Sequence, residues 1–322
     1  MRRMPVFLVL IASVLAFPVL ARAQDYPSKP IKVVVPYPPG GGMADRMARL
    51  VADKFQARWG QPVIVENRAG AGANIGAEYV AKAPADGYTL LYMEMGPLAV
   101  NKALYSKLAY DPDAFAPVSV MVLSPNVLAV HPKVPAETLQ QLIAFAKANP
   151  DRLNYASNGA GGAPHLTAEL FKSAAGVKIV HVPYKGVPPA LTDLLAGQVD
   201  MLFVGLATVL PHARAGKLRI LAVGSEKRQT AVPDIPALSE VFPGFTAGSS
   251  FGMVAPPKTP PAIANKLSAA IAESLKQPDV AKLLVDLGLD PVGDTPAEMS
   301  VFLKQESERW GGLIRTLGVT MD

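Results

Sequence analysis

From residue 31 onward, short β-branched runs alternate with stretches whose apolar residues recur at helical spacing. Ile31 to Val35 reads as a buried strand. Asp45 to Arg58 follows as a helix, with Met47, Leu50, Val51 and Phe55 on one face. Val63 to Val65 is the next strand, Ala73 to Lys82 the next helix, and Tyr88 to Tyr92 a third strand. The alternation then restarts. Leu139 to Ala148 is a helix, Leu153 to Ala156 a strand, His165 to Ala175 a helix and Ile179 to Val182 a strand. A helix over Pro188 to Ala196 precedes the strand Val199 to Phe203, a further helix reaches Arg214, and Leu218 to Val223 closes the series. Strands and helices in strict alternation predict βαβ units and mostly parallel sheets.

The tail breaks this rhythm. Val280, Leu283, Leu284 and Leu287 sit at i, i+3, i+4 and i+7. Thr295-Pro296-Ala297-Glu298 has capping-box spacing with proline at the first helical position, and Met299, Phe302, Leu303 and Trp310 continue a long helix. Helices without strands of their own are best placed as cover for the first sheet. The predicted fold class is therefore α/β with two lobes, each a mostly parallel sheet flanked by helices. Lobe 1 is assigned residues 24–123 and 251–322, and lobe 2, inserted into it, residues 124–250. The chain crosses between them near Val120 to Val130 and Phe251 to Ala255.

The first residues change the picture of where the protein works. Arg2 and Arg3 precede an apolar run from Val6 to Leu20, and Ala21-Arg22-Ala23 follows. A charged start, a short apolar middle broken by Pro18 and an A-x-A site predict a cleaved signal peptide over residues 1–23 rather than a membrane anchor. The expected location is the periplasm. Arg2, Arg3 and Arg22 leave with that segment, so the formal +5 falls to +2. Together with the absence of any Lys/Arg block, this argues against nucleic acid as a partner. There is no cysteine, which excludes disulfides, thiol catalysis and cysteine-ligated metals.

Two glycine-rich turns carry the candidate chemistry. PYPPGGGMADRMAR (Pro36 to Arg49) and NYASNGAGGAPH (Asn154 to His165) each follow a strand and precede a helix. Glycine there lets the backbone turn tightly and approach a ligand. The next helix presents unpaired N–H groups and the positive end of its dipole, a natural site for a carboxylate. Such turns also contain glycine for steric reasons alone, but two in corresponding positions favour binding. The run Asn67 to Gly76 is assigned no clear role beyond support for the first loop.

Enzyme motifs fail. Gly248-Ser249-Ser250-Phe251-Gly252 matches G-x-S-x-G as a string, but strand-like residues follow where a helix is needed, and no histidine lies beyond His212. No glycine run completes G-x-G-x-x-G, Gly216-Lys217 is no P-loop, and H-E-x-x-H is absent. The four histidines, 131, 165, 181 and 212, are far apart in sequence. No catalytic constellation, cofactor or metal is expected.

The chain also resembles the Bug-type substrate-binding proteins of tripartite tricarboxylate transporters across nearly its whole length after residue 24. The resemblance rests on YPSKPIKVVVPYPPGGG, the D-x-x-A-R run of Asp45 to Arg49, VENRAGAGANIGA, PADGYTLL, NYASNGAGGAPHLTAELF, HVPYKGVPPALTDLLAGQVDMLF, PHARAGKLRILAV and APPKTP, in that order. It implies a periplasmic Venus-flytrap fold that closes on a carboxylate held by the two glycine-rich loops and hands it to integral-membrane permease subunits. The implied ligand contacts are Tyr37, Pro39, Gly40, Gly41, Gly42 and Met43 from the first loop. From the second they are Ser157, Asn158, Gly159, Gly161, Gly162 and His165. Met43, Gly162, and Val204 with Gly205 stand where polar residues are common in that family, so a less polar ligand, a carboxylate with an apolar or aromatic body, is expected. A monomer is expected. A sensory adaptor for a signalling receptor and, further off, a secreted hydrolase are the alternative functions.

Overall fold

The computed structural model describes residues 26–40, 43–159, 163–317 and 320; the proposed signal peptide lies outside them. Lobe 1 opens with β1 (Ile31–Val35), α1 (Met43–Trp59), β2 (Val63–Asn67), α2 (Asn74–Ala81), β3 (Thr89–Glu94) and α3 (Gly96–Leu104). β1 lies between β2 and β3 and is parallel to both. Its alternation of sides explains why apolar residues fall on both faces, with Lys32, paired to Glu66, the one polar position. Ile31, Val33 and Val35 pack with Met47, Val51 and Phe55 of α1 on one face, whereas Val34 packs with Ala77 and Val80 of α2 on the other. A strand covered on both faces has no polar side to show.

A strand of 15 residues, β4 (Ala116–Val130), then leads out of this sheet. Beyond it come α4 (Leu139–Ala148), β5 (Asn154–Ser157), α5 (Ala163–Ala175), β6 (Val180–Pro183), α6 (Val187–Leu195), β7 (Met201–Gly205), α7 (Leu206–Arg214) and β8 (Arg219–Val223). β5 pairs in parallel with β6 and β7, repeating the arrangement of β1. β7 shows the same two-sided burial: Met201 and Phe203 face one apolar cluster, Leu202 and Val204 the other.

The chain returns through β9 (Gly248–Ala255) and ends with α8 (Pro261–Leu275), α9 (Pro278–Asp286), the two-residue β10 (Asp290–Pro291) and α10 (Pro296–Leu317). As the pattern of the tail predicts, these helices cover the first sheet: Leu267 and Ile271 of α8 and Val280 and Leu284 of α9 join the α1 cluster, and Met299 of α10 joins the α2 cluster. The capping box forms, with Thr295 N and Oγ1 both donating to Glu298 Oε2 at 2.8 and 2.7 Å.

The strands that pass between the lobes run antiparallel to their neighbours, so the parallel order holds for the outer strands of each sheet. β4 pairs with β9 from Ala116 to Pro125, and from Asn126 to Val130 it lies between β7 and β8. One strand thus belongs to two sheets, and the change of partner falls at Pro125, which has no N–H for a ladder. There the backbones are in direct contact: Asn126 N donates to Ala247 O at 3.0 Å, Ala247 N to Gly224 O at 2.6 Å and Gly224 N to Asn126 O at 2.7 Å.

A Cβ on Gly248 would stand 2.5 Å from Ser124 O and 2.9 Å from Pro125 Cα. Gly248→Ala should therefore cost about 1–3 kcal/mol in urea unfolding, since the obstacle is backbone. Gly312→Ala, in α10 with open space around the new methyl, should be neutral or stabilising by about 0.5–1 kcal/mol. Equal stability of the two variants would show that the strand crossing tolerates bulk.

Candidate ligand-binding cleft

Parallel strands send their C-terminal ends, and the helices that follow, toward the same edge of a sheet. In this molecule the two such edges face one cleft of about 1330 Å³. Among the described residues, five helices begin on its walls: α1 at Met43, α3 at Gly96 and Pro97, α5 at Ala163 and Pro164, α6 at Val187, and α7 next to Ala207 and Thr208. Each brings unpaired backbone N–H groups and a partial positive charge.

The lobe-1 loop is fixed by one carboxylate. Asp45 Oδ2 accepts from Gly40 N at 2.9 Å and from Arg49 Nε at 2.9 Å. Asp45 Oδ1 accepts from Arg49 Nη2 at 3.0 Å and from Asn67 Nδ2 at 2.8 Å. Asn67 Nδ2 also donates to Tyr37 O at 3.0 Å. The Arg49 guanidinium, then Asn67 and the Gly40 amide, hold the Asp45 carboxyl down at about 2 against its burial. Gly40 has φ +68°, the left-handed region that favours glycine. Because Arg49 neutralises Asp45, the negative charge in the first turn of α1 does not oppose an anion in the cleft. Arg46, one residue on, also lines the cleft, is exposed, and has no ion pair or hydrogen bond among the described residues.

The lobe-2 loop rests on aromatic rings. His181 stacks between Tyr155 and His165, with centroid separations of 4.7 and 4.4 Å. Its Nε2 lies 2.7 Å from Ser157 Oγ, and Gly159 N donates to Ser157 Oγ at 3.1 Å. Burial, then the neighbouring His165, lowers the His181 pKa to about 4, and burial lowers that of His165 as well. Two histidines that are remote in sequence meet because β5 and β6 are parallel neighbours, with Tyr155 opposite His181.

Of the residues expected at the site, Tyr37, Gly40, Met43 and Asn158 line the cleft. Pro39 is exposed beside it, while Ser157 and His165 are buried under the second loop, and Gly159 is held by Ser157. Gly41, Gly42, Gly161 and Gly162 lie outside the described residues. The cleft also contains residues not assigned to the site from the sequence: Arg46, Glu94, Ser124, Asn126, Ser249 and Trp310. Arg46 and Ser249 lie inside strings already singled out, Pro36 to Arg49 and Gly248 to Gly252, and Glu94 stands as a lone acid inside the apolar run Leu90 to Met95. The string Gly248 to Gly252 lies within β9, so Ser250 is a strand residue and not a nucleophile on a turn.

Two α/β lobes joined by shared strands, with helix N-termini gathered on the cleft between them, define a two-lobed solute-binding protein. The family model described as tripartite tricarboxylate transporter family receptor matches residues 47–319, and the chain belongs to that family. It is 40% identical over 302 residues to Protein BugT of Bordetella pertussis, covering 93% of this chain and 92% of the relative. Among solved structures, an R. palustris protein with adipate matches at TM-score 0.78 and 36% identity, over 92% of this chain and 99% of that one. MatC from Rhodopseudomonas palustris with bound malate matches at TM-score 0.73 and 34% identity, over 90% and 100% of the two chains.

The stacked histidines predict a pH response. Unfolded, His181 binds a proton near its ordinary 6.5, but folded only near 4. The unfolded state therefore takes up the extra proton, and stability present above pH 6.5 is lost as pH falls toward 4. His181→Gln should flatten that part of the Tm–pH curve relative to wild type. Parallel curves would show that His181 titrates normally in the fold.

Proposed function

We propose that this protein captures a small carboxylate in the periplasm by closing its lobes and delivers it to integral-membrane permease subunits. The observation that carries the reading is the convergence of five helix N-termini and the unpaired Arg46 on one cleft. That field selects for an anion. The relatives solved with adipate and malate bind acids of this kind.

We take the lobes to divide near the change of partner of β4 at Pro125, with residues 24–123 and 251–322 moving against residues 124–250. At about 1330 Å³ the cleft is larger than the roughly 300–1,000 Å³ typical of sites that enclose a small molecule. Closure brings the second wall onto the ligand and excludes water. The carboxylate sits between the loop of Tyr37, Pro39, Gly40, Gly41, Gly42 and Met43 and the loop of Ser157, Asn158, Gly159, Gly161 and Gly162. His165 acts from beneath by holding His181 and Ser157 in place. Val100, Leu104, Val187 and Trp310 supply apolar wall, which suits a ligand with an apolar or aromatic body. Residues 1–23 direct export and are removed, and the working protein is a monomer that turns over no substrate.

The protein, expressed at full length and purified after export, should gain several degrees in Tm from monocarboxylates with apolar bodies and little from citrate. Arg46→Ala should weaken the bound acid about ten- to hundred-fold by calorimetry, the equivalent of roughly 1.5–3 kcal/mol for a charge-assisted hydrogen bond. Citrate binding tighter than benzoate-like acids would overturn the apolar-body assignment. Unchanged affinity in Arg46→Ala would move the anion site elsewhere.

A further inference from the structure

Glu94 ends β3 and lines the cleft on the lobe-1 wall. Its Oε1 accepts a hydrogen bond from Ser249 Oγ at 2.5 Å, and no Lys or Arg of the described residues pairs with it. The other carboxylates on that side are already matched: Asp45 by Arg49 and Glu306 by Arg309. Burial raises the Glu94 carboxyl above its ordinary range, opposed only by the Ser249 hydroxyl. Near it is the Tyr37 hydroxyl, which is buried and has no hydrogen-bond partner; after burial itself, the Glu94 charge is the largest influence raising that phenol.

The cleft therefore holds a cation without a partner, Arg46, and an acid without a cation, Glu94. A desolvated carboxylate without a cation is costly, so burial favours the protonated acid there, and a second ligand carboxylate would favour it further. A ligand ammonium would instead complete the pair, with Ser249 holding the acceptor in orientation. Resting on the carboxylate reading above, we propose that Glu94 and Ser249 form a subsite for a protonated amine. The ligand is then an amino-substituted carboxylate, and di- and tricarboxylates are disfavoured. A ligand that is neutral overall also explains how an anion-attracting cleft coexists with an acidic wall. Its carboxylate faces Arg46 and the helix N-termini, and its amine faces Glu94.

The test uses matched pairs that differ only in the second group: adipate against 6-aminohexanoate, and terephthalate against 4-(aminomethyl)benzoate. Each is titrated by calorimetry near neutral pH into wild type and Glu94→Gln, which keeps an acceptor for Ser249 and so preserves the wall. In wild type the amine member should bind at least about tenfold tighter than its diacid. In Glu94→Gln that preference should disappear, through weaker amine binding, with the diacid unchanged or tighter. A diacid preferred by wild type, or an amine preference that survives Glu94→Gln, overturns the subsite and leaves the carboxylate reading standing. Silence from every acid in both proteins overturns the carboxylate reading and the subsite with it.

Discussion

The molecule is organised by the sharing of one strand between two sheets. β4 pairs with β9 until Pro125 and with β7 and β8 from Asn126 onward. Both hydrophobic cores are therefore anchored to a single stretch of backbone, and the hydrogen bonds linking Asn126, Gly224 and Ala247 tie the three chain segments there. The glycines at 224, 248 and 252 are required by that proximity: an added Cβ would meet backbone at 2.4 to 2.5 Å in each case. Everything that lines the cleft takes its position from this crossing, since the strand ends on either side of it aim their following helices at one another.

Given that arrangement, the electrostatics of the cleft follow from how its carboxylates are treated. Asp45 sits in the first turn of α1, where a free negative charge would compete with an incoming anion. Its four hydrogen bonds to Gly40, Arg49 and Asn67 convert it into a structural element that shapes the loop. Glu94 receives one hydrogen bond and no cation. The same residue type thus serves two ends: the matched carboxylate builds the loop, and the unmatched one remains available to a ligand. The lobe-2 loop uses no charge at this point. A neutral, half-buried His181 between two rings holds Ser157, so the second wall adds donors without adding an anion.

Much of the fold was legible in sequence because its outer strands and helices have strong local signals. Ile31 to Val35 and Leu139 to Ala148 match the observed elements at both ends. The less legible parts are those decided by distant contacts. β4 carries no alternation, because both its faces are covered by different partners along its length, and its 15 residues include two prolines. α3 begins at Gly96-Pro97, a pair that reads as a turn, and gains its stability from packing against α10 through Leu104, Trp310 and Ile314. For the cleft, the glycine-rich turns were visible because glycine marks backbone geometry. Arg46, Glu94 and Asn126 were not, because a charged or amide side chain gives no sign of which wall it faces until strands from both lobes are placed together. The stacked His165 and His181 belong to the same class: only the parallel pairing of β5 with β6 brings them together.

The contacts between the lobes near the crossing strands bear on how the proposed closure would proceed. Trp310 and Ile314 of α10 pack with Leu166 of α5, Arg309 donates to Thr246 Oγ1 at 2.9 Å, and Gln229 Nε2 donates to Asp290 Oδ2 at 2.7 Å. Gly288 lies against Leu206 so closely that a Cβ there would come within 2.8 Å of the leucine side chain. Of the two glycine-rich loops, the described residues Tyr37, Gly40 and Met43 on one lobe and Asn158 on the other line the cleft. In the proposed closure, a rotation about the crossing strands would move the loops far and the contacts near those strands little, so the packed side would persist as the cleft narrows. The free energy of closure then depends on what the ligand offers the facing walls. An anion alone gains from the helix N-termini but leaves Glu94 to be enclosed without a partner. A ligand that satisfies both Arg46 and Glu94 favours the closed state at each end of its length, and in that way the charge pattern of the walls links recognition to movement.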